Sequence, residues 1–445
     1  MRYIPLTPDD SREMLSSIGI DSVEKLFDVI PENLRLKSPL NLPEPMGEQE
    51  LMRHMRGVAS KNTALVSRPS FLGAGAYNHF IPSAVDQLIG RSEFFTAYTP
   101  YQPEISQGTL QAIYEFQTYV CALFGVDVAN ASMYDGASAL AEAVLMACRI
   151  SRKNEIVISN LVHPRWRQVI RSYVQNRHIK VIETADHTHG RADVKRIAEK
   201  ITENTAAVVV QSPNFFGNVE ELSEIGALCN DKKIVFVTGV AEAMSLGLLT
   251  PPGEFGADIV VGEGQSLGLS MSFGGPYIGL FATRDKYLRQ MPGRISGKTT
   301  DKDGRDGYVL TLVAREQHIR REKATSNICT NQGLCALAVT VYLTLLGKSG
   351  LSQTAKNNFY AANALKEKLS GINGINPEFD LPFFNEFVVC LPEPAVDVNK
   401  KLASAGITGG LDVSRFYPDM KNMMLLTATE LTTPEDIEKL AEVFS

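Results

Sequence analysis

The chain has 445 residues, a formal net charge of −6, 44% hydrophobic side chains and 21% charged ones. That is the composition of a folded soluble protein, long enough for two or three domains around a large core, and its mild acidity argues against general nucleic-acid binding. Its six cysteines, Cys121, Cys148, Cys229, Cys329, Cys335 and Cys390, have no zinc-ligand spacing, so no metal is expected and they read as reduced, mostly buried thiols of a cytoplasmic protein.

The opening residues, MRYIPLTPDD, lack the apolar run of a signal peptide. Thr7 reads as a helix cap, with Pro8 at the first helical position and Asp9 and Asp10 in the first turn. The Pro-rich stretch 30–48 reads as a surface path, so residues 1–65 form an arm more than a domain. Next, GAGAYN (73–78) imitates a dinucleotide fingerprint, but Asn78 replaces the third glycine and no strand precedes it.

Residues 94–108, FFTAYTPYQPEISQG, hold Tyr98, Tyr101, Gln102, Glu104 and Gln107 between stiffening prolines. Rigidly held hydroxyls and amides suit recognition of a ligand or partner, although a structural turn with buried tyrosines is an equal reading. In SMYDGASALAEA (132–143) a tight turn opens an Ala-rich helix. The free N–H groups of Gly136, Ala137 and Ser138 offer an anion site, unless Asp135 or Ser138 is a plain cap.

From there the chain has a rhythm. Val/Ile-rich strands at 154–159, 179–184, 206–211, 233–238 and 257–262 alternate with helical stretches, including GVAEAMSLG at 239–247. This is the signature of right-handed βαβ units in a parallel sheet covered on both faces. Ligands bind beyond the carboxyl ends of such strands. His163, at one such end, is a ligand contact or a helix-start residue. The loop after the fifth strand, GEGQSLGLSMSFGGP (262–276), is built of small residues and centred on Gln265, with no nucleophile.

A further strand is expected at 277–284, and 296–310 reads as an exposed polar loop. In REQHIRREKATSNICTNQG (315–333), Arg315, His318, Arg320, Arg321 and Lys323 form a local positive cluster, suited to carboxylate or phosphate or merely to solvent. CALAVTVYLTLL (335–346) is too short to span a bilayer and fits a buried helix, so no membrane partner is expected. Helix, strand, helix, strand and a capped terminal helix follow. The expected domains are an arm at 1–65, a large domain at 66–344 and a small α+β domain at 345–445.

The motifs at 96–118, 132–143, 262–276 and 315–332 together resemble the glycine decarboxylase P-protein family of the glycine cleavage system, whose amino-terminal half is a separate subunit 1 in many prokaryotes. The likeness runs over essentially the whole chain. It implies an α/β fold, the fold-type-I aminotransferase-like architecture of pyridoxal-phosphate (PLP) enzymes. In the family's catalytic subunit a lysine before the GGP turn forms the Schiff base with PLP. Counting back from Gly274-Gly275-Pro276 puts Gln265 there, and Thr238 stands near the Asp that holds the pyridinium nitrogen. The resemblance therefore implies no catalytic residue and no covalent PLP in this chain. PLP is expected on a sister subunit 2 (beta), in an α2β2 assembly that decarboxylates glycine and passes the aminomethyl group to the lipoyl arm of H-protein.

Tyr98, Tyr101, Gln102, Glu104 and Gln107 would line or brace a shared site, with His318, Arg320 and Arg321 close by. Two alternatives stand beside this reading. One is a stand-alone PLP enzyme using a relocated lysine, Lys298 or Lys323. The other is a non-enzymatic scaffold for the partner.

Overall fold

The computed structural model describes residues 5–65 and 68–445. The chain divides into two compact units, Met1–Ala64 and Leu65–Ser445. The first holds two α-helices, Pro8–Ile18 and Glu48–Ala59, and short 3₁₀ turns. Thr7 caps the first helix as expected: its hydroxyl accepts from Asp10 N–H at 3.2 Å, and the Asp10 carboxylate accepts from Thr7 N–H at 2.7 Å. Neither helix buries a single residue.

The second unit is built on a seven-stranded sheet. In chain order its strands are β1 (Val128–Ala129), β2 (Glu155–Ser159), β3 (Lys180–Thr184), β4 (Thr205–Gln211), β5 (Val235–Val240), β6 (Ile259–Glu263) and β7 (Gly279–Thr283). Their spatial order is β1-β7-β6-β5-β4-β2-β3. Strands β2 to β6 are parallel and β7 is antiparallel to β6. Chain direction across the sheet reverses between β2 and β4, and the crevice at such a switch point is where this class of sheet takes ligands. Every residue of β4, β5 and β6 is buried, because both faces are covered. On one face lie Phe116, Val120 and Phe124 of the Gln107–Phe124 helix, with Val339 and Tyr342 of the Gly333–Ser370 helix. On the other lie Leu140 and Val144 of the Gly136–Ser151 helix, with Ile170 and Val174 of the Pro164–Val174 helix.

Each expected parallel strand is present, displaced by two residues at most. Two expected elements differ. The polar 296–310 segment is an antiparallel hairpin, β8 (Ile295–Thr300) and β9 (Asp306–Thr311), rather than a loop. Its turn is closed by the Asp301 carboxylate, which accepts from Asp303 and Arg305 N–H, each at 2.8 Å. Exposed strands need no apolar alternation, so the pattern was silent. The helix expected at 239–247 is one 3₁₀ turn, Ala243–Gly247, because β5 continues through Val240.

The Gly333–Ser370 helix is long and apolar enough to cross a membrane by length and composition alone. Here its apolar half is core: Cys335, Ala336, Val339 and Tyr342 are buried on the sheet. The helix breaks at Gly347 (φ 58°, ψ −174°) and leads into a second, all-antiparallel sheet. That sheet is ordered β10-β11-β13-β12, from Asn376–Pro377, Glu386–Cys390, Met423–Thr427 and Leu411–Asp412. The terminal helix Pro434–Phe444 is capped by Thr433. Burial of the cysteines is less general than expected: Cys229 and Cys335 are buried, Cys121, Cys148 and Cys390 are half-buried, and Cys329 is exposed.

Candidate functional site

Gln265 follows β6 by two residues and is 2% exposed. Its side-chain oxygen accepts from Tyr77 N–H at 2.9 Å. Its amide nitrogen donates to the Tyr77 carbonyl at 3.0 Å and the Leu269 carbonyl at 2.7 Å. The side chain thus pairs with Tyr77 as a neighbouring strand would, and both its N–H groups are used. The segment it holds is GAGAYN, which the sequence offers only as a failed fingerprint. That segment is gripped elsewhere too. Glu386 accepts from Ala74 N–H and from the Tyr77 hydroxyl, and His163 Nε2 donates to the Ala74 carbonyl at 2.9 Å. Two residues after Tyr77, His79 lies between two carboxylates, Glu430 at 2.9 Å from Nδ1 and Glu242 at 3.3 Å from Nε2.

The expected anion site at 136–138 is engaged from within. Asp135 caps the helix, accepting from Ser138 N–H at 2.7 Å. Gly136 N–H donates to Glu263 Oε2 at 3.0 Å. The other Glu263 oxygen accepts from Gln265 and Ile278 N–H, both at 3.1 Å. Burial pushes the Glu263 carboxyl up to about 8, against the pull of those three N–H groups. A further anion at this helix start would find the Gly136 and Ser138 N–H groups already engaged.

Between the helix start and β5 stands Trp166. A Cβ added to Gly136 would lie 2.4 Å from its six-membered ring, and one added to Gly239 would lie 3.3 Å from it. His163 stacks on the indole at 6.0 Å and 29°. Burial holds His163 down to about 4, so the ring is neutral, its Nδ1 accepting from Arg165 N–H. Thr238 is buried, and its hydroxyl has no hydrogen-bond partner. By strand alternation it faces the opposite side of β5 from Gly239.

PLP does not fit these residues. Gln265, where the resemblance puts its lysine, is a fully committed amide. The Gly136 and Ser138 N–H groups are taken by Glu263 and Asp135, and an indole fills the space beside Gly136 and Gly239. Nor do the candidate replacement lysines offer a sheltered amine. Lys298 is exposed on β8 and paired with Asp306 at 2.8 Å, and Lys323 is exposed. Among the described residues no group of three or more His, Cys, Asp or Glu side chains could hold a metal.

The structure brings the 94–108 and 315–333 motifs together. Tyr101 and His318 meet edge to face at 5.8 Å. Arg294, absent from the sequence reading, joins them: it donates to the Tyr101 hydroxyl at 2.8 Å and to Glu316 at 3.1 Å. Arg294 Nη1 and Glu316 Oε1 are buried without partners. Nothing in the local pattern around Arg294 marks it, since its partners are remote in sequence. Tyr98, Gln102 and Glu104 are solvent-exposed, as are Arg320 and Arg321. Arg315 is pinned to the carbonyls of Met291, Gly293 and Leu312. Gln107 holds β9, accepting from Tyr308 N–H at 2.8 Å and donating to its carbonyl at 2.9 Å. A cavity of about 140 Å³ lies between the motifs, lined by Phe94, Tyr98, Thr99, Asn331 and Leu337 among others.

The family profile described as "Glycine cleavage system P-protein" matches residues 1–444. A "Probable glycine dehydrogenase (decarboxylating) subunit 1" of Desulfitobacterium hafniense is 51% identical, with 99% of this chain and 98% of that protein covered. One of the same name from Anoxybacillus flavithermus is 48% identical at the same coverage. A crystal structure of glycine decarboxylase (P-protein), in inhibitor-bound form, superposes with TM-score 0.91 at 43% identity, covering 100% of this chain and 99% of that one. A Lactobacillus brevis glutamate decarboxylase shares the fold alone, with TM-score 0.69 at 13% identity over 94% of this chain and 97% of that one.

Proposed function

The chain belongs to the glycine cleavage system P-protein family, and from that premise we propose that it is the cofactor-free subunit 1 (alpha) of a two-subunit glycine dehydrogenase (decarboxylating). Its sister subunit 2 carries PLP in an α2β2 assembly. The pair decarboxylates glycine and hands the aminomethyl group to the lipoyl arm of H-protein. We read the protein as cytoplasmic. One observation carries the assignment of roles: Gln265, at the place of the Schiff-base lysine, has both its N–H groups locked onto backbone carbonyls. A chain that cannot capture an aldehyde there contributes walls and charge to a site centred on its partner.

The residues we assign to that shared site are Tyr98, Tyr101, Gln102 and Glu104, with His318, Arg320 and Arg321 beside them. Support comes from their exposure and from the Arg294–Glu316 pair that braces Tyr101 from behind. We also keep domain limits of 1–65, 66–344 and 345–445, the last supported by the helix break at Gly347.

The test uses the assembled enzyme. Tyr98→Ala and Glu104→Ala should each lower bicarbonate exchange into glycine by about tenfold or more, the loss of one positioned contact, while both subunits still co-purify. Normal turnover in both variants would leave this chain a scaffold.

A further inference from the structure

The Gly136 helix start and the carboxyl ends of β5 and β6 enclose a space beside Gln265, and in this chain that space has contents. We infer that the chain's own side chains fill the room a cofactor would need there, Trp166 beside the helix start and the Glu263 carboxyl on its N–H, so that the subunit is complete without PLP and closed to it even as a non-covalent ligand.

Three independent contacts locate the replacement. The indole lies against Gly136 at the helix start and against Gly239, on the face of β5 away from Thr238. At 136 only a glycine permits that approach, since a Cβ there would overlap the ring, and at 239 a Cβ would crowd it. On its other side the indole is stacked by His163, which the β2 carboxyl end delivers. Glu263 adds a second obstruction: it sets a carboxyl oxygen on the Gly136 N–H, where the helix start would take an anion. Gln265 closes the third side by pairing with Tyr77. The three replacements come from separate places: the start of the Pro164–Val174 helix, the end of β6 and the loop beyond it. A slot merely left empty would have cost packing. Filling it lets the chain fold without its ligand.

Trp166 is the only tryptophan in the chain, so its fluorescence reports on the slot directly. The probe is pyridoxamine phosphate, which carries the ring and the phosphate but no aldehyde, so surface lysines cannot capture it. Titrated into the full chain alone, it should produce no saturable change in tryptophan emission, and the emission should resist quenching by acrylamide. Trp166→Ala should lose thermal stability and regain several degrees of Tm on addition of millimolar indole, whereas wild type gains none. Trp166→Phe serves should the alanine variant not fold. It should melt below wild type and, like wild type, show no saturable binding of pyridoxamine phosphate.

Saturable micromolar binding of pyridoxamine phosphate to wild type, with altered tryptophan emission, would overturn the inference. So would variants at 166 that are as stable as wild type and indifferent to added aromatics. These readouts use the chain alone, whereas the shared-site reading is tested in the assembly, so the two fail separately.

Discussion

His79 shows what a single residue does when its neighbours outvote burial. Burial alone would drive the imidazole neutral, but the Glu242 and Glu430 carboxylates overcome it and hold His79 up to about 10, from 6.5. Both ring nitrogens face a carboxylate, so both must carry protons to donate. The folded value is raised above the unfolded one. Its stabilisation is therefore full below pH 6.5 and is lost as pH rises toward 10. Across that window the loss is up to about 1.4 kcal/mol per pH unit. His79→Gln should remove that part of the slope, read as the difference in urea-unfolding free energy between variant and wild type. Equal slopes for the two proteins would mean that His79 is neutral when folded.

Such residues were not legible in advance. The absence of any lysine from the 262–276 loop was, because the sequence shows it without tertiary information. The partners of the side chains there were not. Gln265 bonds to a residue 188 positions away, and His79 to one 351 positions away. Trp166 sits in an ordinary helical stretch, and no local pattern says which neighbours its side of that helix meets.

At the scale of elements, periodicity worked where burial was two-sided and failed where it was absent. Strands β2 to β6 announced themselves by continuous Val and Ile. The β8–β9 hairpin did not, because its outer residues, such as Lys298 to Thr300, are exposed. The hairpin is tied to the Gln107–Phe124 helix by the side chain of Gln107, whose three hydrogen bonds run to Tyr308 N–H, its carbonyl and the Pro103 carbonyl. Gln107→Ala removes all three at once. At about 0.5–1.5 kcal/mol net each, the loss should speed amide exchange across 295–311 by about tenfold or more, with the parallel strands unaffected. Unchanged exchange in the hairpin would show that Gln107 is incidental to it.

For the whole molecule, the informative surface is an apolar stripe in the unit Met1–Ala64. The helix Glu48–Ala59 has twelve residues and buries none of them. A helix that short is marginal in water without an apolar face to bury. It has such a face: Leu51, Met52, Met55 and Val58 fall at helical spacing and are each between 43% and 53% exposed. A soluble protein rarely leaves such a stripe open without a partner for it. The assembly with subunit 2 proposed above would supply one, and association of that kind concentrates its energy in a few apolar anchors. Met55→Asp puts a charge at the centre of the stripe. It should weaken co-purification with subunit 2 by about tenfold or more, since a buried unpaired charge costs several kcal/mol at an interface. Because no core residue is touched, the melting temperature of the isolated chain should stay within a degree or two of wild type. A variant that assembles normally would show that the stripe faces solvent in the complex and that the subunits meet elsewhere. One that fails to assemble and also melts early would trace the defect to folding instead, and would equally remove the stripe as a docking surface.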